Sequence, residues 1–316
     1  MANDRPVSNA AAIALVDWGT TSFRLWLADR EGTILAESRG REGMMHAAEV
    51  GFETVLSRHL SAVEAPPGLP VLICGMAGAR QGWCEAPYVA VPALAENLAE
   101  RAVAVACDLG EVRILPGVSQ GDPERPDVMR GEETQLMGLA AAGTDDLVCM
   151  PGTHSKWVRF EDGAIAAFST FMTGELFDVL SRHSILKHAV DPETGPKGVS
   201  EAFLAALRPD TPETALARIF ALRAGQLLGF AERSDGAAAL SGTLVGAEIG
   251  AAHSLYPSFE TVTLVASGPL AELYEAALRQ AGFIVTRADA EDATRRGLLA
   301  AGRQIWPERL NGTGRQ

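Results

Sequence analysis

Apolar residues along this chain follow two periods, and one strand–turn–strand pattern occurs twice. Ile13-Ala14-Leu15-Val16 is a short apolar run of the buried-strand type. It ends in Asp17, turns through Gly19-Thr20-Thr21-Ser22 and resumes as a strand-like run from Phe23 to Ala28. Leu147 to Phe168 repeats the pattern: an apolar run, the turn Gly152-Thr153-His154-Ser155, then an alternating strand. Each copy continues through an acidic turn with glycine (Asp29 to Gly32; Glu161 to Gly163) into another strand. Two such units far apart in one chain predict two related lobes facing each other across a cleft. The copies are not equivalent, because Met150 stands where the first copy has Asp17, and Lys156 where it has Phe23.

Between and after these units the periods predict the remaining elements. Ala47 to Val63 and Leu94 to Cys107 read as helices, and Val71 to Cys74 and Val112 to Leu115 as strands. Val71 to Cys74 runs into a Gly-rich loop, Gly75 to Trp83, the place where an open α/β sheet puts ligand contacts. Gly121 to Asp127 is a surface loop, and a helix starts just after Gly131. In the second half, helices are expected over Ser200 to Leu207, Thr211 to Arg233 and Thr243 to His253, with a Pro/Gly loop at Asp191 to Gly198. Thr261 to Ala266 reads as a strand, then Ser267-Gly268-Pro269 opens an amphipathic helix to Ala281. Phe283 to Thr286 is a last strand. Asp289 to Ile305 is a last helix whose Gly297, Ala300, Ala301 and Gly302 suit close packing. The expected division is an N-terminal lobe over 11–140, a C-terminal lobe over 141–290, and a helix over 291–306 crossing back between them. Met1 to Asn9 is a polar, frayed start.

Composition narrows the function. At 316 residues and 47% hydrophobic the chain is long enough for two domains with their own cores. A formal charge of −13 argues against a nucleic-acid or anionic-membrane partner, but not against a phosphate ligand handled by local amides and a few bases. Cys74, Cys84, Cys107 and Cys149 show neither metal-ligand nor redox spacing. No apolar run approaches transmembrane length, and the start, with Asp4 and Arg5, is unlike a signal peptide, so a cytoplasmic protein is expected. A homo-oligomer is left open.

Candidate chemistry gathers at the turns. Amides and hydroxyls around Gly19, Thr20 and Thr21 suit phosphate oxygens, and Asp17 suits Mg²⁺ or its water shell. Gly152 and Thr153 offer donors again, with Lys156, one of only three lysines, beside them. Glu132 and Glu133 sit in a first helical turn, where acids complement the helix dipole. Their place between the two halves also suits a carboxylate acting on a substrate hydroxyl, and helix phase leaves either one facing the cleft. Trp83 either lies against the face of a small molecule or plugs its loop into the core. His154 lies inside the second turn and is a candidate contact to substrate or phosphate; the other histidines receive no role.

Taken in order, these features resemble the two-lobed ATPase superfamily of actin, heat-shock chaperones and sugar kinases. Its five motifs (phosphate 1, connect 1, phosphate 2, adenosine, connect 2) would fall at Asp17–Arg24, Arg130–Leu136, Pro151–Lys156, Val265–Leu273 and Asp292–Gly302. The wording DWGTTSFR, GMAGARQGW, VMRGEETQLMG, MPGTHSKWV, FMTGEL and LSGTLVGAEI is similar to the 2-dehydro-3-deoxygalactonokinase family, from about Ile13 to Gln304. The resemblance implies an α/β, ribonuclease H-like fold with a mixed sheet in each lobe. It also implies ATP- and Mg²⁺-dependent phosphorylation of the 6-hydroxyl of 2-dehydro-3-deoxy-D-galactonate. Asp17 would hold the metal, and Gly19, Thr20, Thr21, Gly152, Thr153 and Gly268 would surround the nucleotide. Glu132 or Glu133 would take the hydroxyl proton. Met76, Ala77, Gly78, Trp83 and His154 would line the sugar side, with Arg24, Arg80, Arg130 and Lys156 the cations available to its carboxylate. Many superfamily members carry an acid in the second phosphate motif, and Met150-Pro151 here departs from that. Two competing readings are an exopolyphosphatase-like hydrolase, in which the Glu pair aligns water, and a non-enzymatic actin-fold assembly or regulatory protein.

Overall fold

The computed structural model describes residues 10–143, 146–190, 198–209 and 211–311. In chain order the first half holds β1 (Ile13–Trp18), β2 (Phe23–Ala28), β3 (Ile34–Gly40), α1 (Met44–Val50), α2 (Phe52–Ala62) and β4 (Val71–Gly75). It continues with β5 (Tyr88–Ala90), β6 (Ala93–Leu94), α3 (Ala95–Glu100), β7 (Val103–Val105), β8 (Val112–Ile114), β9 (Gly117–Gln120), β10 (Asp127–Met129) and α4 (Glu132–Ala140). The second half holds β11 (Leu147–Met150), β12 (Ser155–Glu161), β13 (Ala164–Phe171), α5 (Thr173–His183), α6 (Glu201–Ala206), α7 (Ala215–Leu227) and α8 (Gly236–Leu255). Last come β14 (Thr261–Val265), α9 (Gly268–Gln280), β15 (Ile284–Ala288), α10 (Ala290–Ile305) and α11 (Pro307–Leu310). The chain divides into two compact units, Met1–Asp145 with Glu161–Ala167 and Glu291–Gln316, and Asp146–Phe160 with Phe168–Ala290.

In the first unit the main sheet has the order β3-β2-β1-β4-β8-β7. β1 pairs antiparallel with β2 and parallel with β4, which is parallel to β8. In the second unit the strands run β15-β14-β11-β12-β13. There β11 pairs antiparallel with β12 and parallel with β14, which is parallel to β15. Each unit thus flanks one central strand with an antiparallel hairpin on one side and parallel strands on the other. The central parallel strands are apolar without alternation because both faces are covered, as in β4 and β11, where every residue is buried. The first core is built on Val16, Trp18, Phe23, Leu25, Ile73 and Ile114, and the second on Cys149, Trp157, Phe203, Leu264 and Tyr274.

Several expected helices are revised. The run Ala47 to Val63 is two helices, broken at Gly51, whose φ of 95° a side chain rarely adopts. Leu94 to Cys107 keeps only α3; Val103 and Val105 instead pair with β8 as the edge strand β7, a placement that suits β-branched residues. Thr211 to Arg233 shortens to α7, whereas the helix expected from Thr243 starts at Gly236 and runs as α8 through a buried environment. The loop expected at Asp191 to Gly198 and the start Met1 to Asn9 lie outside the described residues, Gly198 excepted.

Within the first unit, α10 crosses α4 at near backbone contact. A Cβ on Gly297 would land on the carbonyl oxygen of Thr134, and one on Gly138 on that of Ala293. Alanine favours a helix over glycine by about 1 kcal/mol, but overpacking against backbone costs about 1–3 kcal/mol. Gly297→Ala is therefore expected to lower the denaturation midpoint despite its better helix propensity. An unchanged or raised midpoint in urea unfolding would show that the crossing has slack.

Candidate active site

In the first unit three segments meet at the C-terminal ends of β1 and β4. Parallel register sets Asp17 beside Cys74 and Trp18 beside Gly75, so the Gly19–Ser22 turn and the Gly75–Trp83 loop leave the sheet side by side. Gly75 has φ 89°, and a side chain there would strike the Trp18 carbonyl. Gly131, with φ 109°, brings the start of α4 against Gly75. The turn is closed by Gly19 N donating to Ser22 O at 2.9 Å. It is also clasped from behind by α1: Met44 N donates to Gly19 O at 2.9 Å, and Gly43 is so close to Thr20 and Thr21 that a Cβ would collide with their backbone.

The carboxylates at this place occupy different environments. Asp17, with 24% of its side chain exposed, pairs with Arg24 at 3.3 Å. Burial pushes its pKa up, Arg24 opposes that, and the charges of Glu291 and Glu132 add to the rise. Glu133 is fully buried; its Oε2 accepts from Gly131 N at 2.7 Å and its Oε1 from Thr134 Oγ1 at 3.2 Å. Burial, reinforced by Glu132, lifts its pKa to about 8. Glu132 is half-buried, with its Oε2 accepting from Arg130 N at 3.1 Å.

The Gly75–Trp83 loop is packed rather than open. Ala77 and Gly78 are buried, Met76 is half-buried and Arg80 is exposed. Trp83 N donates to Ala77 O at 2.8 Å, and the Trp83 ring stacks on Phe52 at 6.0 Å and meets Trp18 edge-on at 6.1 Å. Trp83 therefore has the packing of a plug that anchors the loop. The Arg130 guanidinium lies over Tyr88 at 4.5 Å and donates to Ala86 O at 2.8 Å, fastening the far end of the same loop.

The second unit repeats the plan. The turn after β11 sits beside the turn after β14, because Cys149 pairs with Leu264. Gly268, exposed and at φ 65°, opens α9 there, and Ser267 Oγ donates to Asp289 Oδ2 at 2.9 Å. Thr153 and His154 are exposed, whereas Ser155 and Lys156 are buried, Lys156 Nζ donating to His154 O at 3.3 Å. Here α5 supplies the clasp: Glu175 N donates to Thr153 O at 3.0 Å, and a Cβ on Gly174 would meet Gly152 O at 2.5 Å. Glu175 Oε2 also lies 2.5 Å from His154 Nε2. The turns differ in length. Met150 pairs with Lys156, leaving five residues between the last partners, whereas Trp18 pairs with Phe23, leaving four. Pro151, lacking an N–H, cannot extend the ladder.

Sequence reasoning named Asp17, both turns and the Glu pair, but missed the clasping glycines Gly43 and Gly174, and Glu175. The signal was available: in each copy the third strand is followed by a short segment with glycine at the start of a helix, REGMM in one and FMTGEL in the other.

Comparison with known proteins bears on this geometry. The family model for 2-keto-3-deoxy-galactonokinase matches residues 17–301. The chain is 52% identical over 307 residues to the "Probable 2-dehydro-3-deoxygalactonokinase DgoK1" of Rhizobium meliloti (strain 1021), covering 95% of this chain and 100% of that one. It is 33% identical over 285 residues to the 2-dehydro-3-deoxygalactonokinase of Escherichia coli (strain K12), covering 90% and 94%. A crystal structure from Sinorhizobium meliloti given the same provisional assignment superposes with a TM-score of 0.90 at 52% identity, over 93% of this chain and 99% of that one. Structures only 13% identical share the same actin-like α/β fold, at TM-scores of 0.54 and 0.51.

The raised pKa of Glu133 carries a pH signature. Between about pH 4.5 and 8 the folded chain holds a proton on Glu133 that the unfolded chain releases. Its contribution to stability is therefore fully present below that window and lost as pH rises through it. Relative to Glu133→Gln, the wild type should lose up to ~1.4 kcal/mol per pH unit across the window. Parallel urea stabilities of the two proteins from pH 5 to 8.5 would refute the assignment.

Proposed function

The chain belongs to the 2-keto-3-deoxy-galactonokinase family, and from that premise we propose that it moves the terminal phosphoryl group of ATP to the 6-hydroxyl of 2-dehydro-3-deoxy-D-galactonate, as a cytoplasmic step in galactonate breakdown. The chain is a sugar kinase, and ATP and a sugar acceptor are its substrates. The observation that carries the residue assignments is the meeting, in the first unit, of an acid-bearing Gly-Thr turn, a Gly-rich loop and an acidic helix start.

Phosphoryl transfer asks the protein mainly to position groups and neutralise charge. Gly19, Thr20 and Thr21 in the first unit and Gly152, Thr153 and Gly268 in the second are assigned to the nucleotide, their amides turned to phosphate oxygens. Asp17 is assigned to Mg²⁺. The donor set fits: Asp17 feels Glu132 and Glu291 as well as Arg24, so a cation would relieve like-charge repulsion. Among the described residues no cluster of three or more His, Cys, Asp or Glu could hold a metal ion. Mg²⁺ is commonly held through one or two carboxylates with waters and substrate phosphates, and Asp17 is the carboxylate assigned to it here. When bound, the ion would offset the charge of the phosphates.

Glu132 is assigned as the base for the sugar hydroxyl. Both oxygens of Glu133 accept hydrogen bonds inside the fold, and its side chain has no exposed surface. Its role is to hold the Gly131 amide and so the start of α4. Glu132, half-buried one residue earlier, is the carboxylate an acceptor can reach. Exposure also sorts the cations. Arg80, and Arg24 with 39% of its side chain exposed, are available to the substrate carboxylate. Arg130 ties down the sugar loop, and Lys156 stiffens the second turn. His154, held by Glu175, is assigned to the acceptor together with Met76. Neither the hydrolase nor the assembly reading has an observation of its own in its favour.

Purified protein supplied with ATP, Mg²⁺ and a panel of 2-keto-3-deoxy acids should form product with the galactonate-derived acid; product from other acids alone would overturn the substrate. Glu132→Gln should lower kcat roughly 10²–10⁴-fold with KM for the acid little changed. A loss under tenfold, with Glu133→Gln inactive instead, would exchange the two roles. Asp17→Asn should raise the Mg²⁺ concentration needed for half-maximal rate; an unchanged requirement would remove the metal assignment.

A further inference from the structure

One buried acid has no part in the scheme above. Glu248 stands in α8, a 20-residue helix without another acid or a Lys or Arg, and is 3% exposed. A lone carboxylate there is strongly disfavoured unless donors surround it. They do. Trp157 Nε1 donates to Glu248 Oε1 at 2.9 Å, and Tyr274 OH donates to Oε2 at 2.7 Å. Thr173 and Ser155 bond to the same carboxylate through their hydroxyls, and Ser155 Oγ lies 3.1 Å from Tyr274 OH. Burial still pushes the Glu248 pKa up, while these four donors favour the ionised form.

The four donors come from three elements. Ser155 and Trp157 open β12, directly after the Gly152-Thr153 turn. Thr173 opens α5 beside Gly174, the glycine packed on that turn. Tyr274 lies in α9, the helix that starts at Gly268. Every segment of the second unit assigned to the nucleotide is thus tied, within a few residues, to one acceptor. We infer that Glu248 is a positioning residue for nucleotide binding, its carboxylate fixing the Gly152-Thr153 turn against the starts of α5 and α9 so that their amides meet the phosphates without reorganisation. Preorganised donors bind more tightly because the ordering is already done. The inference rests on the nucleotide assignments made above.

The test uses the full-length protein with Glu248→Gln, whose amide has one acceptor oxygen and an NH₂ that faces donors. Affinity for a non-hydrolysable ATP analogue is measured by calorimetry, beside KM for the sugar acid and the thermal midpoint. The expected result is an analogue affinity roughly tenfold weaker, with KM for the sugar acid within about twofold of wild type. Tyr274→Phe, which removes one donor and leaves the fold's volume unchanged, should weaken the analogue by a smaller factor. It should also add little to Glu248→Gln in the double variant, because both act through one network. A lower thermal midpoint with unchanged analogue affinity would overturn the inference, as would equal losses for nucleotide and sugar acid. If Glu248→Gln does not fold, Tyr274→Phe decides by the same two measurements. Failure of wild type itself to bind the analogue would instead overturn the nucleotide assignments.

Discussion

A turn that presents backbone amides to a ligand must be held from behind, since its own residues cannot both grip the fold and face outward. Both Gly-Thr turns are held from behind in the same way. The first is backed by the start of α1 through Gly43 and Met44, and the second by the start of α5 through Gly174 and Glu175. In each case a helix amide takes a turn carbonyl, and glycine removes the side chain that would keep the two backbones apart. The rest of each unit serves that contact. Parallel neighbours place a second loop beside each turn, and the apolar core fixes the strands from which both loops leave.

Environment then divides one chemical group into several functions. Asp17, Glu132, Glu133 and Glu248 are all carboxylates, and their surroundings differ more than their chemistry. Glu133 and Glu248 have almost no exposed surface and bond only to the protein, the first to backbone and hydroxyl donors of its own helix start, the second to three separate elements. Such groups are placed to hold structure. Asp17 and Glu132 keep part of their surface and lie among like charges, which suits groups that work with a cation or a proton. The choice between Glu132 and Glu133, which helix phase leaves open, rests on burial.

How much of this was legible in the sequence follows from the range of each interaction. Strands β1, β4 and β11 were readable because burial on both faces writes a continuous apolar run, β14 because it is rich in β-branched residues, and the turns because glycine and hydroxyl residues punctuate the runs. The helix boundaries were less so. Gly51 breaks a pattern that is otherwise helical, and β7 takes residues that local periodicity gives to a helix because the edge of β8 was there to be paired. Trp83 could be read as a ligand platform or as a plug; only the tertiary contacts with Trp18 and Phe52 give its packing. Glu248 was legible in principle, as a single acid in an apolar helix, but its partners lie 26 to 93 positions away along the chain and no local pattern names them.

The difference between the two turns is as informative as their likeness. In the first, Trp18 and Phe23 close a four-residue turn and Asp17 stands one position further back, opposite Arg24. In the second, Pro151 ends the ladder early, the turn gains a residue, and Met150 and Lys156 are the last pair. The two copies align without a gap, so the pairing of the second is slipped by one position, and a strand alternates its faces with every residue. The slip therefore changes which side chains can stand under the turn. In the first copy an acid does, open enough to meet a cation; in the second a lysine and a serine do, drawn inward to the His154 carbonyl and the Glu248 network. Two hairpins of one length thus come to carry unlike side chains at their turns through one step of register and one proline.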